Sequence, residues 1–140
     1  MDETIEWAED LPTDCPPADA IAPQNSLFYR LVDSIPPVDR DFWSHHKLNP
    51  FKNFNTSECI ARSCSVLSDL EGCSQLVKLP TQRNKRIVQL TLSPQSGLIR
   101  KTGRNLYHYS WWRAGEFDPI SASVEIPIPS PEIDDQRGSR

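Results

Sequence analysis

The chain is expected to form a single small α+β domain, an antiparallel or mixed sheet of about five short strands with one well-defined helix and acidic, proline-rich arms. Three observations carry that expectation. Short runs of alternating apolar and polar residues recur along the middle of the chain, which is the period of a half-buried strand. One segment near residue 70 changes to helical spacing behind a capping sequence. Proline and acid gather toward the two ends, where neither period is visible.

Residues 1–25 hold a possible helical turn at Ile5 to Glu9, followed by Pro and Asp at short intervals. This arm is expected to be mobile or laid along the domain surface. Ser26 to Val32 is the first strand, with Leu27, Tyr29 and Leu31 alternating with Phe28, Arg30 and Val32. Both faces are apolar, so Arg30 lies beside a core and needs a partner there. Ile35-Pro36-Pro37 stops the strand. Residues 38–57 form a long aromatic loop carrying Phe42, Trp43, Phe51 and Phe54 with His45 and His46, and such a loop either packs over the core or belongs to a site.

Cys59 to Leu67 reads equally as strand or helix. Ser68 and Glu71 have the spacing of a capping box, and Leu70, Cys73, Leu76 and Val77 then share a helical face until Pro80, which places a helix at about Asp69 to Lys78. Arg86 to Leu92, Leu98 to Thr102 and Leu106 to Arg113 are strands separated by the turns Ser93 to Gly97 and Gly103 to Asn105. Ala122 to Ile128 alternates as well, but Pro127 and Pro129 demote it to an edge strand or extended tail. The expected organisation is therefore an arm at 1–25, a domain at 26–128 and a tail at 129–140.

Charge follows the same division. Residues 1–39 carry nine acids against Arg30 alone, residues 40–113 carry twelve Lys or Arg against four acids, and residues 114–140 carry six acids against two arginines. The net charge of −4 thus conceals a cationic middle. No apolar run approaches the roughly 20 residues of a membrane span, and the acidic start lacks the parts of a signal peptide, so a soluble cytoplasmic protein without membrane attachment is expected. In that compartment Cys15, Cys59, Cys64 and Cys73 are expected to be reduced thiols. Their spacings lack the paired knuckles of a structural zinc site, and no metal is expected.

The leading functional expectation is a binding or regulatory protein rather than an enzyme. Arg83, Lys85, Arg86, Arg100, Lys101, Arg104 and Arg113 surround the strands that carry the aromatic run ending in Trp111 and Trp112. Cations grip phosphates or carboxylates and flat rings stack on bases, so this set would engage an acidic protein surface or a nucleic acid, with the acidic arms modulating access. The tandem tryptophans point to opposite faces of a strand, so one needs cover from outside the core. The aromatic loop 42–54, a partner, or a second copy in a homodimer would supply it. Motifs of the common nucleotide-binding and hydrolytic enzymes are absent.

A second constellation consists of Arg30, Ser65 and His108, each on or beside an expected strand. A strand bearing Arg in Phe28-Tyr29-Arg30, a later strand with Ser in Arg62-Ser63-Cys64-Ser65-Val66, a helix, and a sheet with an isolated His is similar to the layout of small ADP-ribosyltransferase-like domains. The resemblance is architectural and covers about residues 26–113. It implies an NAD-utilising enzyme in which Arg30 and Ser65 help hold NAD; the binding-protein reading calls for no cofactor. A Glu near the end completes catalysis in that family. Here the Glu-x-Glu or Gln-x-Glu pair is missing, and Glu116 is the only acid shortly after the aromatic strand. The purely structural alternative pairs Arg30 with Asp33 or Asp39 and gives His108 an ordinary hydrogen bond.

Overall fold

The computed structural model describes residues 5–127. They form an α+β domain around one antiparallel sheet of six strands, not about five: β1 (Ser26–Val32), β2 (Cys64–Leu67), β3 (Arg86–Leu92), β4 (Gly97–Lys101), β5 (His108–Arg113) and β6 (Ser123–Ile126), in the order β4-β5-β2-β1-β3-β6. The additional strand comes from the ambiguous segment, which holds both possibilities in succession. Helix α2 (Glu58–Ala61), capped by the Ser57 hydroxyl on the Ile60 amide, is followed within three residues by β2. Two elements of four residues each are too short for either period to dominate a window. The remaining helices are α1 (His45–Leu48), α3 (Leu70–Leu76) and α4 (Pro119–Ala122). No helix among the described residues is long and apolar enough to cross a membrane.

Helix α3 lies where helical spacing places it, but Asp69 caps it: the Asp69 carboxylate accepts the Glu71 amide at 2.9 Å. The Ser68 N–H donates to the Tyr107 carbonyl at 2.8 Å, continuing the chain of bonds between the β2 and β5 segments, and so is not left for the Glu71 half of a capping box. The helix buries Cys73 against Leu67 and Ile87 on one side of the sheet. The opposite side packs Phe28, Val32, Phe42, Cys64, Val66, Val88, Leu90, Leu92, Ile99 and Trp111, the alternate positions of five strands plus the first residue of the aromatic loop's core contact. Strand β6 takes the edge next to β3 and ends before Pro127. The expected tail at 129–140 lies outside the described residues.

The arm lies on the domain. Trp7 bridges Ala114, and Ile21 exchanges both backbone bonds with Ile99 on the free side of β4, at 2.9 and 2.8 Å. The Glu9 carboxylate accepts the Ser44 amide at 2.9 Å, and Arg62 donates to the Asp10 carbonyl at 2.7 Å. The expectation of four reduced thiols fails here, because the arm carries Cys15 over α2, 5.5 Å from Cys59 between Cα atoms, and the two form a disulfide. Cys64 and Cys73 are buried free thiols whose desolvation raises their pKa, for Cys73 to about 12.

Trp111 and Trp112 are 0% and 1% exposed, and their indole N–H groups donate to the carbonyls of Ser96 and Cys59. Both faces of β5 are therefore covered from within the chain. Trp112 is covered by α2 and the arm, with Trp7 and Leu11 lining the same small void, and not by loop 42–54. Neither indole is available to a partner or to a second copy.

Candidate functional site

The sheet has a seam. Strands β1 and β2 share a single register pair, Tyr29 with Leu67, whereas β1 pairs with β3 at seven positions and β2 with β5 at four. Where β1 and β2 diverge, the Ser65 carbonyl faces a gap instead of a strand. Alternation assigns Arg30 to the same side as Phe28 and Val32, and the gap lets its side chain reach that carbonyl, Nη1 to oxygen at 2.6 Å, while Nε donates to the Asp41 carbonyl at 2.7 Å. Asp33 and Asp39 do not serve it: Asp33 pairs with Lys85 at 2.8 Å and Asp39 with Arg113 at 3.5 Å. Among the described residues Arg30 has no carboxylate partner, so a half-buried cation faces the cleft uncompensated.

Asp41 builds the other wall. Its carboxylate accepts the Asp33 amide at 2.8 Å, the Ser34 hydroxyl at 3.0 Å and the Val38 amide at 2.9 Å, which closes the loop after β1 and presents the Asp41 carbonyl to Arg30. The Asp39 carboxyl sits below its ordinary range, chiefly because it accepts the Trp43 indole N–H at 2.8 Å.

His108 completes the site through a diagonal cross-strand contact. Leu67 stands opposite His108 and Ser65 opposite Ser110, so the imidazole reaches two residues along β2 to place Nε2 2.9 Å from Ser65 Oγ. Its Nδ1 lies 3.1 Å from both the carbonyl and the hydroxyl of Thr102; the carbonyl only accepts and the hydroxyl has Ser110 Oγ at 2.8 Å as a second partner, which favours the proton on Nδ1 and leaves Nε2 to accept from the Ser65 hydroxyl. The tautomer is thus assigned from partner chemistry. Burial lowers the pKa of His108, with Lys101 and Arg30 adding to the effect and the Thr102 backbone bond opposing it. The pKa of His45, on α1 across the cleft, is lowered by burial and by the positive charges around it.

Arg30, Ser65 and His108 therefore come from three strands, β1, β2 and β5, that lie side by side, and all three line one cleft of about 380 Å³. That is within the size range of small-molecule sites. Tyr29, Trp43 and His45 contribute flat faces, and Arg40 a further cation. The carboxylates on the lining are those of Asp33 and Asp41; Glu116 is exposed in the turn after β5 and is not among the lining residues.

The basic and aromatic set is not gathered into one face. Arg100 and Lys101 are on β4 at one edge, and Arg86 is on β3, four strand positions away, or about 19 Å at ordinary strand spacing. Lys85, Arg86, Arg100 and Arg113 are ion-paired with Asp33, Glu125, Asp19 and Asp39. The Arg113 side chain is 9% exposed and donates to the Phe42 carbonyl. Arg83 and Arg104 are exposed on separate turns, and Lys101 donates to the Asn105 carbonyl. Asp41 and Thr102 were invisible to sequence reasoning as site residues, since each works through partners brought close only by the fold. Comparison of the chain with protein-family models, curated proteins and solved structures returns no match in any of the three.

Proposed function

We propose that the seam cleft binds NAD and that the chain is an ADP-ribosyltransferase-like enzyme. The observation that carries the reading is the meeting of Arg30, Ser65 and His108 on neighbouring strands around one cleft, with the Arg30 guanidinium docked on two carbonyls and unmatched by any described carboxylate. A fixed guanidinium with free N–H groups suits a pyrophosphate, where a fork of donors meets paired oxygens. The Ser65 and His108 pair suits ribose hydroxyls, and Trp43 and Tyr29 suit the flat bases. When bound, NAD supplies an ADP-ribosyl group with nicotinamide as leaving group. The chain's own residues bind and orient it, and no glutamate stands on the lining to assist.

Titration of the full chain with NAD, followed by calorimetry, and measurement of nicotinamide release test the reading together. Arg30→Lys keeps the charge but loses the fork, and is expected to weaken NAD binding about tenfold or more, the loss of one charge-assisted hydrogen bond. Arg104→Ala, on an exposed turn, leaves binding unchanged. Absence of binding at millimolar NAD, or equal binding by Arg30→Lys, overturns the reading. The rival, an anionic protein or nucleic-acid partner, is left with the exposed cations Arg83, Lys101 and Arg104 and predicts salt-sensitive binding that Arg104→Ala weakens.

A further inference from the structure

We infer that Ser65 is a nucleophile activated by His108, which gives the cleft a capacity to transfer acyl groups from small esters. The inference stands on the geometry of the pair and does not depend on NAD.

A serine hydroxyl is a weak nucleophile unless a base takes its proton, and the base works only if its free nitrogen faces the hydroxyl. Both conditions are met. In the Nδ1-protonated tautomer, His108 donates to the Thr102 carbonyl at 3.1 Å, and Nε2 is left as the acceptor 2.9 Å from Ser65 Oγ. Thr102 is itself anchored, its hydroxyl 2.8 Å from that of Ser110 on β5. The order hydroxyl, imidazole, fixed acceptor is the arrangement by which a base is oriented toward its nucleophile, with a neutral carbonyl in the place of a carboxylate. Ser65 lines the cleft, and so does Arg30, whose Nη1 donates to the Ser65 backbone carbonyl at 2.6 Å and so places a positive charge in the same cleft.

The reaction is an ordinary two-step transfer. Ser65 Oγ bonds to the ester carbonyl carbon as its proton passes to His108 Nε2. The bond to the alcohol breaks, and the departing alcohol takes that proton. Water then adds to the acyl-serine, giving its proton to Nε2, and the carboxylic acid leaves as Ser65 recovers a proton. Ester and water become acid and alcohol. Because a neutral carbonyl stabilises imidazolium less than a carboxylate does, turnover is expected to be slow, and covalent capture is the sharper readout.

The test is a fluorophosphonate probe on the full chain, in which the phosphorus–fluorine bond breaks, fluoride leaves and the probe bonds to the serine oxygen. Mass spectrometry is expected to find the adduct on Ser65, with none there in Ser65→Ala. His108→Gln keeps a hydrogen-bonding side chain but accepts no proton, and is expected to slow labelling about 100-fold or more. Labelling should also fall in acid as His108 is protonated, in a field set by Lys101 of β4, Arg30 of β1 and His45 of α1. Circular dichroism establishes that the variants are folded. A folded wild-type chain unlabelled at Ser65, or a folded His108→Gln labelled at the wild-type rate, overturns the inference. NAD is absent from the assay, so either result leaves the NAD reading to its own titration.

Discussion

Replacing Asp41 by Asn removes one oxygen from a carboxylate that is 7% exposed and serves three donors. An amide in either orientation leaves an N–H group facing an N–H. In the better one its oxygen keeps Ser34 and Val38, and its nitrogen opposes the Asp33 amide. The loss is one charge-assisted hydrogen bond, together with weaker bonds at the other two donors, about 3 kcal/mol in all. With an unfolding entropy of about 2.1 cal/mol/K per residue, the chain of 140 residues loses about 0.3 kcal/mol for each degree at its midpoint, so the melting temperature should drop by about 10 °C. Ser34→Ala removes a single donor and should cost about 1 kcal/mol, or about 3 °C. Differential scanning calorimetry measures both. An Asp41→Asn chain melting within about 2 °C of wild type would refute the claim that this carboxylate organises the wall of the cleft.

Two further outcomes are expected. Gly97 has φ +129°, and a Cβ there would stand 2.0 Å from the Trp112 carbonyl oxygen, so Gly97→Ala should destabilise the fold by roughly 3 kcal/mol or more; a denaturant midpoint equal to wild type contradicts it. Burial lowers the pKa of His45 and His108 in the folded chain, so below about pH 6.5 the unfolded chain binds more protons and stability falls as pH drops. The melting temperature should be level above that pH and decline below it, and the double variant His45→Gln with His108→Gln should remove most of the slope; an undiminished slope in that variant assigns the effect elsewhere.

Much of the fold was legible because it is local. Alternation located β1, β3, β4 and β5, and helical spacing located α3, since each pattern fills a window long enough to show its period. The ambiguous segment was not resolved because α2 and β2 compress a helix and a strand into ten residues, 58–67. The helix is capped by Asp69, one residue beyond the expected Ser68, and the Ser68 amide that a capping box would give to Glu71 is instead bonded to the Tyr107 carbonyl. Arg30, Ser65 and His108 were named from residue type and strand setting, while their meeting depends on strand order, which no local pattern contains. The same ignorance misled in the other direction. Cations close in sequence on either side of a turn were expected to share a face, and the sheet order instead sends β3 and β4 toward opposite edges. The disulfide was missed because the thiols were expected to be reduced on the strength of an inferred compartment, and because Cys15 meets Cys59 only through the arm's course over α2, which contacts remote in sequence set, such as Arg62 with Asp10.

The seam divides the backbone ladder into two leaves of three strands, β4-β5-β2 and β1-β3-β6, which share one register pair and the Arg30 bond to the Ser65 carbonyl. Yet the chain threads them alternately, passing from one leaf to the other between β1 and β2, β2 and β3, β3 and β4, and β5 and β6. Neither leaf is a contiguous stretch of sequence, so neither can assemble before most of the chain has been made, and contacts remote along the chain set the folding rate. Backbone pairing is sparse at the seam, and side-chain packing joins the leaves there instead, through the core that runs from Phe28, Val32 and Val88 to Val66 and Trp111. A ligand seated in the cleft would touch both leaves at once, Arg30 and Tyr29 from one and Ser65 and His108 from the other.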